Sequence, residues 1–262
     1  MNANKQNMSL PPISVWQAEI LRMTVFHPIE IQTAQPSWWE DLRKELPEAI
    51  SLDPKRPSER HEGPFEEGRL VLTLQPGRID WVFTIDIGRE SNAQRIPTIG
   101  VFTDSLESFL SLMVQWLQEG KSPQVRRLAF GAVLLRPVES LKHGYAQILA
   151  YLPHVELGPE PASDFLYQIN RPRDSSYGIR GLKINRISTW SVASFTMLRS
   201  VAPAGVPAME HFRGPERFAC RLALDINTVP QQGKILPQEE LPHLLQELVE
   251  FGKEITQRGD VP

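Results

Sequence analysis

The alternation of apolar and polar positions predicts strands first. Val15 to His27 is dense in β-branched and large apolar residues and reads as a long first strand, limited by Pro28, which lacks the donor a central strand requires. Leu70, Leu72 and Leu74 alternate with polar or smaller residues. Pro76-Gly77 supplies a turn, and Ile79, Trp81, Phe83, Ile85 and Ile87 resume the alternation, so the two runs predict a hairpin. Between these regions Ser37 and Glu40 have capping-box spacing at a helix start, and Leu52 to Gly68, charged and broken by Pro54, Pro57 and Pro64, reads as a mobile surface loop. Ile96 to Phe102 adds a short strand. The period then becomes helical: Leu106, Phe109, Leu110, Met113, Trp116 and Leu117 form one stripe, with Asp104 as cap and Gly120 as stop.

The second half repeats this order. Val125 to Leu135 reads as a strand stopped by Pro137, and Ser140 to Leu152 as a helix. Phe165 to Asn170, Leu182 to Leu198 and Arg217 to Ile226 read as strands. A last helix carries Leu241, Leu244, Leu245, Leu248, Phe251 and Ile255, with Pro237 in its first turn. Short phrases echo between the halves: Thr84-Ile85-Asp86-Ile87 against Ala223-Leu224-Asp225-Ile226, and Val25-Phe26-His27-Pro28 against Leu134-Leu135-Arg136-Pro137. The expectation is an α+β fold of two similar halves, each strand, helix, two or three antiparallel strands, helix. Residues 1–12 form a disordered N-terminus, 13–121 the first half and 122–262 the second. The order of elements resembles that of TATA-binding-protein-like folds, in topology only.

Composition narrows the class without naming an activity. A hydrophobic fraction of 41% and a charged fraction of 23% are those of a chain able to bury a core. A net charge of −3 gives no global attraction to polyanions, so a basic face would have to be local. The single cysteine, Cys220, excludes an intramolecular disulfide and fits a reducing compartment. Its phase with Phe218, Leu222 and Leu224 places it in the core, where a thiol is inert. No run approaches the roughly 18 apolar residues of a membrane helix.

Motifs that carry chemistry are sparse in this chain. His27, His61, His143, His154, His211 and His243 show no metal-ligand spacing, and no nucleophile elbow or phosphate-binding glycine loop is present, so neither cofactor nor metal is expected and an enzyme is the less favoured class. Asp86 and Asp225, the echoed acids, read either as a symmetric acid/base pair or as acids paired with arginine at strand ends. The segment from Asn170 to Arg186 concentrates Arg171, Arg173, Arg180, Lys183 and Arg186 around Tyr177, in a flexible loop between strands. Its arginines suit phosphate and its tyrosine suits a base, or they form a solvated loop balanced by nearby acids. Trp38 and Trp39, adjacent on a helix, point about 100° apart, so one is a candidate for a partner interface unless both pack onto a broad sheet.

Pro11-Pro12-Ile13 before the first strand, the Arg126-Arg127-Leu128-Ala129-Phe130-Gly131 strand and Leu224-Asp225-Ile226 before the last helix together resemble an uncharacterised, sporadically distributed bacterial family of similar length. The resemblance implies a cytoplasmic accessory protein of bacterial operons, of the kind found in defence or mobile elements. The leading expectation is a non-enzymatic adaptor acting through protein contacts. The alternative is a nucleic-acid-binding accessory protein using the loop from Arg171 to Arg186 across the sheet.

Overall fold

The computed structural model describes residues 10–28, 38–53, 55, 57–86, 96–120, 122–158, 162–196, 198–201, 210–231 and 233–260; of residues 198–201 and 210–213 only the backbone is described. The strands are β1 (Gln17–Phe26), β2 (Ala49–Asp53), β3 (Ser58–Phe65), β4 (Gly68–Gln75), β5 (Arg78–Thr84), β6 (Gly100–Val101), β7 (Arg127–Val138), β8 (Leu166–Asn170), β9 (Arg173–Asp174), β10 (Lys183–Phe195), β11 (Leu198–Val201), β12 (Glu210–Arg213) and β13 (Arg217–Thr228). The helices are α1 (Trp38–Arg43), α2 (Phe102–Gln118), α3 (Leu141–Tyr151) and α4 (Leu241–Arg258).

The expectation of two strand–helix halves is overturned. One antiparallel sheet of eleven strands dominates the described chain, in the order β2-β3-β4-β5-β1-β7-β13-β10-β8, with β6 on β1 and β9 on β10. Three physical reasons account for the difference. The stretch taken as a loop, Leu52 to Gly68, instead supplies the end of β2 and all of β3, which pair over five residues and extend the sheet. β1 and β7 pair from Gln17↔Leu135 to Phe26↔Arg127, with one register shift between Ala18 and Ile20, so one sheet crosses the seam. The echoed phrases also occupy different places: Asp225 lies within β13, whereas Asp86 lies beyond the end of β5. Local departures are smaller. The run Ile96 to Phe102 yields only the two residues of β6, β7 continues through Pro137, and α2 begins at Phe102, ahead of the Asp104 read as its cap. The helix start read at Ser37 lies outside the described residues.

Alternation along each strand sorts the side chains onto two faces. Leu21, Met23 and Val25 of β1, Leu128, Phe130, Ala132 and Leu134 of β7, and Leu222, Leu224 and Ile226 of β13 form one apolar face and are buried. Helices α2 and α4 cover it along the middle, α3 at the Val138/Phe218 end and the short α1 over β3 and β5. A tryptophan cluster locks this layer: Trp39 stacks on Trp81 at 6.2 Å, Trp81 meets Trp116 at 6.0 Å, and Trp116 meets Trp38 edge-on at 5.7 Å. Such pairs add about 1 kcal/mol each beyond area burial. Among the described residues no helix packs on the opposite face.

α4 reaches this close to the sheet because position 252 is glycine: a Cβ there would stand 3.1 Å from Phe130 and 3.4 Å from Leu224. Replacing Gly252 with valine is expected to lower stability by about 2 kcal/mol through overpacking, seen as a lower urea midpoint at unchanged denaturant slope. An unchanged midpoint would mean α4 does not sit so tightly.

Candidate functional site

The uncovered face carries the polar half of each alternation. The pairing registers place Val82, Arg22, Gly131, Asp225, Ile187 and Asn170 in one row across six strands. The neighbouring row runs Asp80, Thr24, Ala129, Asn227, Asn185. The middle of this face is built of small residues, Ala129, Gly131 and Ala223, so a hollow of about 230 Å³ opens there with Arg22 on one side and Asp225 on the other. Arg22 lies flat over Gly131: a Cβ at that position would be 3.2 Å from Nη2 and 3.3 Å from Nε. Among the described residues its guanidinium has no hydrogen-bond or ion-pair partner, and its Nε is buried without an acceptor.

Asp225 is held by a directional chain of amides. Asn170 Nδ2 donates to Asn185 Oδ1 (2.9 Å), Asn185 Nδ2 to Asn227 Oδ1 (3.0 Å), and Asn227 Nδ2 to Asp225 Oδ1 (2.9 Å). Each carbonyl accepts from the amide before it, so the chain fixes three side chains and ends on one carboxylate oxygen. The other oxygen, Oδ2, has no partner among the described residues.

Cations gather around the hollow. On β5, β1, β7 and β13, Arg22, Arg78, Arg127, Arg217 and Arg221 share the uncovered face with the acids Asp80 and Asp225. Asp80 is already engaged, accepting from Thr24 Oγ1 at 2.5 Å and from Arg78 Nε at 2.6 Å, and this hydrogen bond raises the Arg78 pKa above its ordinary value. Arg78 and Arg127 lie over the Phe26 ring at 5.6 and 4.9 Å from its centroid. Neither Arg127 nor Arg221 has a carboxylate partner among the described residues. Along these four strands the face therefore carries more arginine than acid, in a chain of net charge −3.

The residues singled out from the sequence fall elsewhere. Arg171 donates from Nε and Nη2 to Asp260, Arg173 from Nη1 to Glu254 at 2.7 Å, and the buried Arg186 from Nη2 to Glu254 at 3.0 Å. These three clamp the sheet to the end of α4 and correct the reading of a loop that presents its arginines to a ligand. Burial, reinforced by Arg173, lowers the Arg186 pKa. Lys183 pairs with Asp174 at 3.1 Å, Tyr177 stacks on His243 at 5.4 Å, and Arg180 is exposed. Trp38 and Trp39 are both buried, so neither forms a partner surface; α1 is wedged between α2 and the sheet, which buries both sides of it. Asp86 sits 3.8 Å from Arg69 and does not line the hollow that holds Asp225; strand spacings put the two acids roughly 20 Å apart. Cys220 is buried, which pushes its thiol pKa up to about 11.

A wider groove of about 630 Å³ lies at the strand ends by Leu135, Pro137 and Phe218, with Glu139, Glu216 and Arg217 as its charged residues. It lacks the unpartnered arginine of the central hollow. Among the described residues no three His, Cys, Asp or Glu side chains gather as a metal site, and no helix is long and apolar enough to cross a membrane. Comparison with protein-family models, curated proteins and solved structures returns no match, which leaves the chemistry of this face as the guide to function.

The clamp at Asp260 has its own test. Hydrogen bonds from Arg171, and then from Tyr167 Oη at 2.7 Å, hold the Asp260 carboxyl below its ordinary pKa. A carboxylate depressed on folding stabilises the fold above its unfolded pKa near 4, and that stability is lost as pH falls through the lower folded value. Asp260→Asn is expected to cost about 2 kcal/mol at pH 7, with the gap between variant and parent closing below pH 4 in urea titrations. A gap independent of pH would contradict the clamp.

Proposed function

We propose that this chain is a non-enzymatic binding protein for single-stranded nucleic acid, which lies across the uncovered face of the sheet and not along the loop from Arg171 to Arg186. The observation that carries this reading is the set of arginines on that face without acidic partners among the described residues, Arg22, Arg127 and Arg221, in a chain that is acidic overall. Arginine without a carboxylate partner is a donor set that matches phosphate. The hydroxyl and amide positions beside them, Thr24, Thr189, Asn185 and Asn170, supply the neutral partners that backbone contacts use. A single strand is favoured over a duplex because its bases are free to leave their stack and enter the hollow.

The adaptor reading keeps one observation of its own. Leu46, Ile50 and Leu52 are exposed near the outermost strand β2, where Ile50 and Leu52 continue the apolar face past the helices, an arrangement that suits a protein partner. Pro47 stands two residues ahead of that five-residue strand and limits edge-to-edge pairing at its start. An adaptor would be indifferent to charge on the opposite face.

Fluorescence anisotropy with a labelled oligo-dT 12-mer distinguishes the two. Binding is expected in the micromolar range near physiological salt, with log K falling against log salt at a slope of about −3 for some four phosphate contacts. Arg22→Glu, Arg127→Glu and Arg221→Glu are each expected to weaken it tenfold or more, while Arg180→Glu changes it less than twofold. Loss of binding through Arg180 with the face arginines silent would return the site to the loop.

A further inference from the structure

We infer that the join between β10 and the end of α4 binds one chloride ion, held by the buried guanidinium of Arg186 and the hydroxyl of Ser188. The site lies on the covered side of the sheet and is independent of the nucleic-acid reading of the other face.

Strand phase creates the site. Ile184, Arg186, Ser188 and Trp190 alternate along the covered face of β10 and are all buried, so an arginine and a serine stand among core side chains. Arg186 is 1% exposed, and its guanidinium lies over the Phe251 ring of α4, 5.3 Å from the centroid. Of its nitrogens, Nη2 donates to Glu254, whereas Nε and Nη1 are buried with no acceptor among the described residues. Buried donors of a charged group left in that condition cost more than neutral ones. Beside them is a void of about 10 Å³, the room one water-sized particle needs. Its polar lining is Arg171, Arg186, Ser188 and Asp260, and Ile169, Ile255 and Gly259 complete the wall.

The chemistry of the lining selects an anion over water. Ser188 Oγ accepts from Trp190 Nε1 at 3.2 Å, which leaves its own hydrogen free to donate. Asp260 is already engaged: Arg171 donates to both of its oxygens and Tyr167 Oη to Oδ2 at 2.7 Å. The void therefore offers the N–H groups of Arg186 Nε and Nη1, the O–H of Ser188 and apolar contact from two isoleucines. A water accepts from such donors but must also place its own hydrogens, against a lining whose carboxylate already takes hydrogen bonds on both oxygens. An anion accepts from all the donors and has no hydrogens to place. Local charge agrees, since Arg171 pairs with Asp260 while Arg173, Arg186 and Arg258 all meet the one carboxylate of Glu254. Burial, and then Arg173, disfavour the charged form of Arg186, and an anion at Nε opposes both. The void is too small for phosphate or a carboxylate, so the ion is monatomic.

The experiment follows thermal unfolding of the full chain at fixed ionic strength while sodium gluconate, whose anion cannot enter the void, is exchanged for sodium chloride. Tm is expected to rise by about 5 °C between zero and about 150 mM chloride, along a saturating curve, as for a ligand that binds only the folded state. Ser188→Ala removes one donor and is expected to move the midpoint of that curve to about tenfold higher chloride. Arg221→Ala, on the uncovered face, is expected to leave it within twofold. Crystals grown in sodium bromide are expected to show an anomalous peak between Arg186 and Ser188. A Tm indifferent to the exchange of anions, or a chloride response that Ser188→Ala leaves unchanged, overturns the inference. So does a water in place of bromide in the crystal.

Discussion

The pairing of β1 with β7 under a single layer of helices is the constraint on which the remaining structure depends. A sheet covered on one side needs apolar residues on only one set of alternate positions. β7 meets that demand with Leu128, Phe130, Ala132 and Leu134 against α4 and the rest of the core. Its other positions meet no helix among the described residues, and in its middle they are Ala129 and Gly131. A large side chain at 131 would collide with Arg22 and fill the depression. The hollow is therefore a consequence of what the central strand does not need on its uncovered face, and the registers of β1 and β13 with β7 set Arg22 and Asp225 on its two sides.

Charge is partitioned by the same arrangement. The arginines between Arg171 and Arg186 lie on or beside strands whose inner face meets α4, so they meet Glu254 and Asp260 and become cross-links between layers. Arg22, Arg127 and Arg221 lie on the uncovered face, where among the described residues no helix brings an acid to them. Identical residue types thus have opposite fates, decided by strand phase. The first set anchors the last helix to the sheet, and the second meets no acid among the described residues.

Much of the fold was legible where the signal was local. The β4–β5 hairpin announces itself through strict alternation around Pro76-Gly77, and α2 and α4 through stripes at helical spacing. β2 and β3 were hidden because edge strands expose both faces: Ile50 and Leu52 are bare, and charged residues stand where an inner strand would show apolar ones. The site was hidden for a different reason. Arg22, Gly131 and Asp225 are neighbours only through pairing between strands some hundred residues apart, and no spacing in the sequence reports that order. The density of arginine after Asn170 misled for the converse reason, since local composition cannot show that their acids arrive on the last helix and just beyond its end, about 70 to 90 residues later. The echo between Asp86 and Asp225 misled as well, because similar letters fell at different points of their strands.

The most direct test of the central claim is a map of where the strand lies. Photo-crosslinking an oligonucleotide carrying 5-iododeoxyuridine, followed by peptide mass spectrometry, places adducts on the residues the bases touch. The account predicts adducts on peptides from β1, β7 and β13, with Phe26 foremost because it is the aromatic ring that lies between Arg78 and Arg127. Adducts confined to Tyr177 and its loop, or to the helices, would contradict it.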